Sequence, residues 1–182
     1  MHSWKNIDYL KNGNPVQLKA YEAITELNIL NDLKGYDPIL VGTIPIAIDI
    51  EGSDLDIICE VYDFDDFERL IVKLFGDLDS FIVKRKIDKD EKNILVANFF
   101  FMDFEFEIYA TSANIETFNG YRHMIIEDRI IKSLGEDFRK RVIELKMSGI
   151  KTEPAFTQLL GLSGNPYEAL FNLNLDEYKC EE

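Results

Sequence analysis

The chain is short of cysteine, histidine and positive charge. In 182 residues it carries 2 cysteines, 2 histidines and 20 Lys and Arg against 34 Asp and Glu. Cys59, inside an apolar run, and Cys180, near the C-terminus, make no disulfide framework. A net charge of −14 argues against non-specific nucleic-acid binding, because phosphate contacts need clustered Lys and Arg. No apolar run approaches the roughly 20 residues that cross a bilayer, so no membrane partner is expected. The first residues carry no charged-apolar-small leader pattern. Internal repeats and low-complexity segments are also missing. What the chain does have is a hydrophobic content of 46% with 13 Phe and 8 Tyr, enough for a sizeable core. A folded cytoplasmic protein is the expectation.

Turn signals and periodicity divide the chain. Asn14-Pro15 reads as a helix cap and first helical position. Leu18, Tyr21, Ile24, Leu27 and Leu30 recur at three-residue steps, predicting a helix that runs to Leu33 and stops at Gly35. Short strands follow at 39–42 and 55–61, then a helix capped by Asp63 that ends near Gly76. Alternation predicts strands at 80–87, 94–101 and 104–109, with a hairpin turn at 88–92. Beyond about residue 112 only helical periodicity remains, at roughly 120–134, 136–148, 153–162 and 166–173, before an acidic tail at 176–182. The expected fold class is therefore α+β. Residues 1–112 would form a mixed sheet flanked by helices, and 113–182 a small helical subdomain packed against it, with a cleft between them.

The chemistry-bearing residues gather around 41–57. Asp54 and Asp56 stand two apart at the start of the second strand, so a period of two puts both carboxylates on one face. Glu105 and Glu107 form a second same-face pair in the last strand. If the two strands are neighbours, Asp54, Asp56 and one of those glutamates can hold one or two Mg²⁺ ions about 4 Å apart. The Gly42-Thr43 turn would offer backbone N–H groups and a hydroxyl to a phosphate. The plainer reading of an isolated Asp-x-Asp is a turn cap or a solvent-facing pair.

This arrangement resembles a known signature. Gly42-Thr43, with Ser53-Asp54-Leu55-Asp56 beginning ten residues after Thr43, is similar to the motif of the nucleotidyltransferase superfamily, the DNA polymerase β-like fold. Residues 41–56, 107–109, 121–124, 149–156 and 159–167 resemble an uncharacterised bacterial family placed in that superfamily. The resemblance implies Asp54, Asp56 and Glu107 as catalytic metal ligands for Mg²⁺ or Mn²⁺, with Glu105 in reserve. It implies Gly42, Thr43 and Ser53 at the phosphate turn. The reaction implied is transfer of a nucleoside monophosphate from a nucleoside triphosphate (NTP) to a hydroxyl of a small molecule or protein. One departure stands out: 44–53 holds Asp49 and Glu51 but no Lys or Arg, where triphosphate charge needs partners.

Positive charge would then come from the helical half. Arg122, Arg129 and Lys132 are spaced to share a helix face that could close over phosphates, or that simply faces solvent beside Glu127 and Asp128. His123 reads first as a hydrogen-bonded structural histidine. A binding module that keeps the fold and the cleft without transferring anything is the alternative function.

Overall fold

The computed structural model describes residues 4–87 and 93–174; the turn expected at 88–92, the acidic tail and Cys180 lie outside them. Five strands form one sheet: β1 (Ile39–Val41), β2 (Leu55–Glu60), β3 (Asp79–Ile87), β4 (Asn93–Phe101) and β5 (Phe104–Thr111). Their spatial order is β1-β2-β5-β4-β3. β2 and β5 run parallel, and every other neighbouring pair is antiparallel. The helices are α1 (Pro15–Leu27), α2 (Ile29–Asp32), α3 (Phe64–Phe75), α4 (Asn119–Met147), α5 (Thr152–Leu160) and α6 (Pro166–Phe171). The α+β expectation holds. Among the described residues no helix is long and apolar enough to cross a membrane.

Local chemistry explains the boundaries. The Asn14 side chain accepts from the Gln17 backbone N–H while Gln17 Oε1 accepts from the Asn14 N–H, so α1 opens on a reciprocal cap with Pro15 first. The helix expected to reach Leu33 ends at Leu27, because Asn28 takes a left-handed conformation (φ 56°) and α2 restarts beyond it. Asparagine tolerates that region better than most residues, so the apolar period continues while the helix does not. In α4, Gly135 (φ 79°, ψ −169°) breaks the helical path, as its place between two periodic stretches predicts.

Strand alternation sends side chains to two cores. On one face Leu55, Ile57, Phe106 and Ile108 pack with Ile24 of α1 and Phe67, Ile71 and Phe75 of α3. There Phe99 stacks between Phe75 and Phe106, with ring centroids 5.0 and 5.3 Å apart. Burial pushes the Cys59 thiol in this core up to about 12, so it is an apolar filler and not a nucleophile. On the other face Ile39, Val41 and Ile58 pack with Met124, Ile131, Phe138 and Phe156 of α4 and α5. The helical half thus covers part of the sheet face that carries the carboxylates. The uncovered part is the cleft.

Candidate functional site

Register places the acidic residues. Val41 of β1 pairs with Asp56 of β2, Asp56 pairs with Glu107 of β5, and Glu107 pairs with Asn98 of β4. The parallel β2–β5 pair therefore brings two carboxylates from distant parts of the chain to adjacent positions on one face. The Asn98 amide lies 3.3 Å from Glu107 Oε2 and 3.4 Å from Glu105 Oε1, donating to both. Asp54, the residue before β2, is exposed. Burial above all, and then the charges of Asp54, Glu107 and Glu105, push Asp56 up to about 8. Gly42 sits against this carboxylate with φ +90°, and a Cβ there would lie 2.5 Å from Asp56 Oδ2.

The loop between Gly42 and Asp54 is held from outside itself. Its buried Ile44, Ile46 and Ile48 face the cores. Its carbonyl groups accept from three side chains: Gln17 reaches Ile44 at 2.8 Å, Arg139 reaches Ile46 at 2.9 Å, and Lys146 reaches Ile48 at 2.6 Å. Ser53 closes the loop by accepting from the Ile50 N–H at 3.0 Å and from the Thr43 hydroxyl at 3.4 Å. Thr43 and Gly42 line the cleft; Ser53 does not, and acts on the turn through Thr43.

The cleft encloses about 240 Å³. Asp56, Glu107 and Tyr109 form its sheet wall, and His123, Glu127 and Glu153 its helical wall. Ligand atoms of His123, Glu127 and Glu153 all lie within 4.8 Å of one another, the one such group of three among the described residues. Asp54, Asp56 and Glu107 share the sheet face but do not close to that spacing. His123 is buried, stacked on Phe171 with centroids 4.0 Å apart, and burial holds its pKa below the ordinary value despite the pull of Glu153. Burial and Glu153 push Glu127 up to about 8, against the opposing effect of Lys146. His123 Nδ1 and Glu127 Oε1 are buried with no hydrogen-bond partner. Sequence reasoning passed over this wall, although His123 and Glu127 stand at the i, i+4 spacing that puts two ligands on one helix face.

Arg122, Arg129 and Lys132 do share a face of α4, but it borders a separate cavity of about 680 Å³ with Trp4, Tyr121 and Asp128. Arg122 lies over the Phe171 ring at 4.0 Å, and Lys132 pairs with Asp128 at 2.6 Å. The structure does not bring these cations to the Asp56 cleft. α4 turns His123, Met124, Glu127 and Ile130 inward instead, and its basic residues face outward.

The sheet wall offers two carboxylates in register, Asp56 and Glu107, which are the oxygen donors a divalent cation takes, although with Asp54 they stand wider apart than the helical-wall group. Burial first, and then the charges of Asp54, Glu107 and Glu105, disfavour a bare charge on Asp56, and a cation beside it would relieve both. Among the described residues lining the cleft there is no Lys or Arg to neutralise it. A triphosphate entering this cleft would meet carboxylates unless a cation stood between.

Comparison with known proteins follows the same lines. A family described as "Domain of unknown function (DUF4269)" matches residues 22–173. No curated protein matches the chain. Among solved structures, the Cid1 poly(U) polymerase bound to MgGTP is similar over 70% of this chain and 40% of its own, at 14% identity and a TM-score of 0.50. A cytoplasmic RNA terminal U-transferase is similar over 70% of this chain and 38% of its own, at 15% identity and a TM-score of 0.50. A Cid1 variant bound to MgATP matches 78% of this chain and 47% of its own, at 13% identity and a TM-score of 0.52. The chain therefore spans less than half the length of these proteins, and shares with them the nucleotidyltransferase fold.

Proposed function

The chain belongs to the domain family of unknown function that matches residues 22–173, and on its nucleotidyltransferase-like fold we propose a divalent-metal-dependent nucleotidyltransferase. The observation that carries this reading is the Asp56–Glu107 register pair with Gly42 pressed against Asp56. A bound Mg²⁺ or Mn²⁺ would supply Lewis-acid stabilisation of the transferring phosphoryl group. Asp54 and Asp56 would hold it, and the glycine would let the backbone approach a phosphate without a side chain intervening. Thr43 offers its hydroxyl from the same turn. Glu107 completes the carboxylate set on the acceptor side and takes the acceptor's proton. The acceptor oxygen bonds to the α-phosphorus, the bond to the bridging oxygen breaks, and pyrophosphate leaves. Magnesium-bound nucleotides, as in the Cid1 structures, are the donor class in this reading. The acidic balance favours a small molecule or protein as acceptor over nucleic acid, in a cytoplasmic setting.

A second reading has its own support. The cleft lining carries no Lys or Arg among the described residues, which suits a metal- or small-ligand-binding module that performs no transfer. Thermal unfolding with Mg²⁺ or Mn²⁺, with and without a nucleotide panel, tests the first reading. A ligand at about a hundred times its Kd raises stability by roughly 2.7 kcal/mol. The wild type should show that gain with a metal–nucleotide pair, and Asp54→Asn/Asp56→Asn should lose it. A rise in melting temperature on adding each metal–nucleotide pair that is no larger in the wild type than in the variant would remove the enzyme reading.

A further inference from the structure

The geometry points to a second divalent-cation site, on the helical wall, formed by His123 and Glu127 of α4 and Glu153 of α5. This is separate from the Asp54, Asp56 and Glu107 set and does not rest on nucleotidyl transfer.

His123 and Glu127 are one helical turn apart, and Glu153 enters from the first turn of α5. All three ligand atoms lie within 4.8 Å of one another. Bonds of about 2.0–2.2 Å to N and O ligands place neighbouring ligand atoms roughly 3–4 Å apart, so small side-chain adjustments suffice. The independent sign of a ligand lies in the buried atoms. His123 is 5% exposed and Glu127 4% exposed, yet His123 Nδ1 and Glu127 Oε1 have no hydrogen-bond partner. A buried polar atom left unpaired is costly, and both of these belong to side chains that bring a ligand atom within 4.8 Å of the other two, which implies a group that engages them. Glu153, half-exposed at the cleft, leaves a coordination position open to water or to a ligand.

Ligand chemistry narrows the metal. One imidazole nitrogen with two carboxylates suits Zn²⁺ or Mn²⁺ better than Mg²⁺, which prefers oxygen and retained water. Lys146 bears on the same group, since its charge is felt at Glu127. Its ammonium is engaged by the Ile48 carbonyl at 2.6 Å.

The test uses the full chain carrying Asp54→Asn/Asp56→Asn, so that the sheet-wall ligands are disabled. Calorimetric titration with Zn²⁺ and with Mn²⁺ should still find one site per chain. Adding Glu153→Gln, whose side chain is half-exposed and tolerant of change, should weaken that site at least about tenfold, and Glu127→Gln should do the same. Circular dichroism checks that each variant is folded. Pulsed electron paramagnetic resonance of bound Mn²⁺ should show nitrogen coupling that His123→Asn removes. No binding to Asp54→Asn/Asp56→Asn, or an affinity unmoved by Glu153→Gln, would overturn the proposal. So would bound Mn²⁺ without nitrogen coupling.

Discussion

Lys146 Nζ donates to the carbonyl oxygen of Ile48 at 2.6 Å, joining residues 98 apart in sequence. The contact ties the second half of α4 to the loop that presents Gly42 and Thr43. Arg139, on the same half of the helix, reaches the Ile46 carbonyl at 2.9 Å. The break at Gly135 sets the direction of this half. The helical half therefore acts on the site by gripping the turn beside it, and its nearest cations contact backbone oxygen rather than the open cleft.

Removing that grip should loosen the turn. Lys146→Met keeps the stem and deletes the charge, leaving the Ile48 carbonyl without its donor. A buried charged hydrogen bond of this kind is worth about 1.5–3 kcal/mol. Urea denaturation should show a loss of that order, and amide hydrogen exchange in 43–50 should speed up more than exchange in β4. A variant as stable as wild type would show that the contact does not hold the loop.

Gly42 cannot accept a side chain. Its φ is +90°, and a Cβ would approach Asp56 Oδ2 to 2.5 Å. Gly42→Ala should cost about 1–3 kcal/mol from the backbone conformation, before any displacement of Asp56. Divalent-cation affinity at the sheet wall should fall together with stability. Unchanged Mg²⁺ or Mn²⁺ binding would mean that Asp56 is not a ligand.

The pH dependence has a definite sign. Asp56 and Glu127 are each raised from ordinary carboxylate values to about 8 in the fold. Between about pH 4 and 8 the folded chain binds protons at these groups that the unfolded chain has lost. Their contribution to stability is full below the unfolded values and is lost as pH rises through about 8. Metal-free protein should therefore melt at progressively lower temperature across that window, and Asp56→Asn should flatten the decline. Saturating Mn²⁺ should reverse it, because the cation replaces the proton. A melting temperature that rises with pH in metal-free buffer would contradict this assignment.

Much of this was readable from local pattern. The alternation of Phe104, Phe106 and Ile108 with Glu105 and Glu107 places the glutamates on one face, and β5 keeps that parity. Gly135 announced the break in α4, and Asp63 the start of α3. Asn28 did not announce the end of α1, because the apolar period runs through it. The pairing of Asp56 with Glu107 needed strand order as well as pattern, since β2 and β5 are separated by two other strands in sequence. The direction in which α4 faces was hidden for a physical reason. Its inward stripe contains the polar His123 and Glu127, so charge pattern alone made the outward Arg122, Arg129 and Lys132 look like the site-facing residues. Lys146 was invisible as a loop contact, because its partner is a backbone carbonyl and carries no sequence signature.

The most direct test of the sheet-wall carboxylates is a crystal of the full chain grown with Mn²⁺ and a non-hydrolysable nucleoside triphosphate, read by anomalous scattering. The account predicts a Mn²⁺ peak bonded to Asp54 and Asp56 at about 2.1 Å, with Glu107 completing the carboxylate set and a phosphate oxygen beside Gly42 and Thr43. Manganese and nucleotide bound elsewhere, with Asp56 and Glu107 still facing each other across an empty gap, would contradict it.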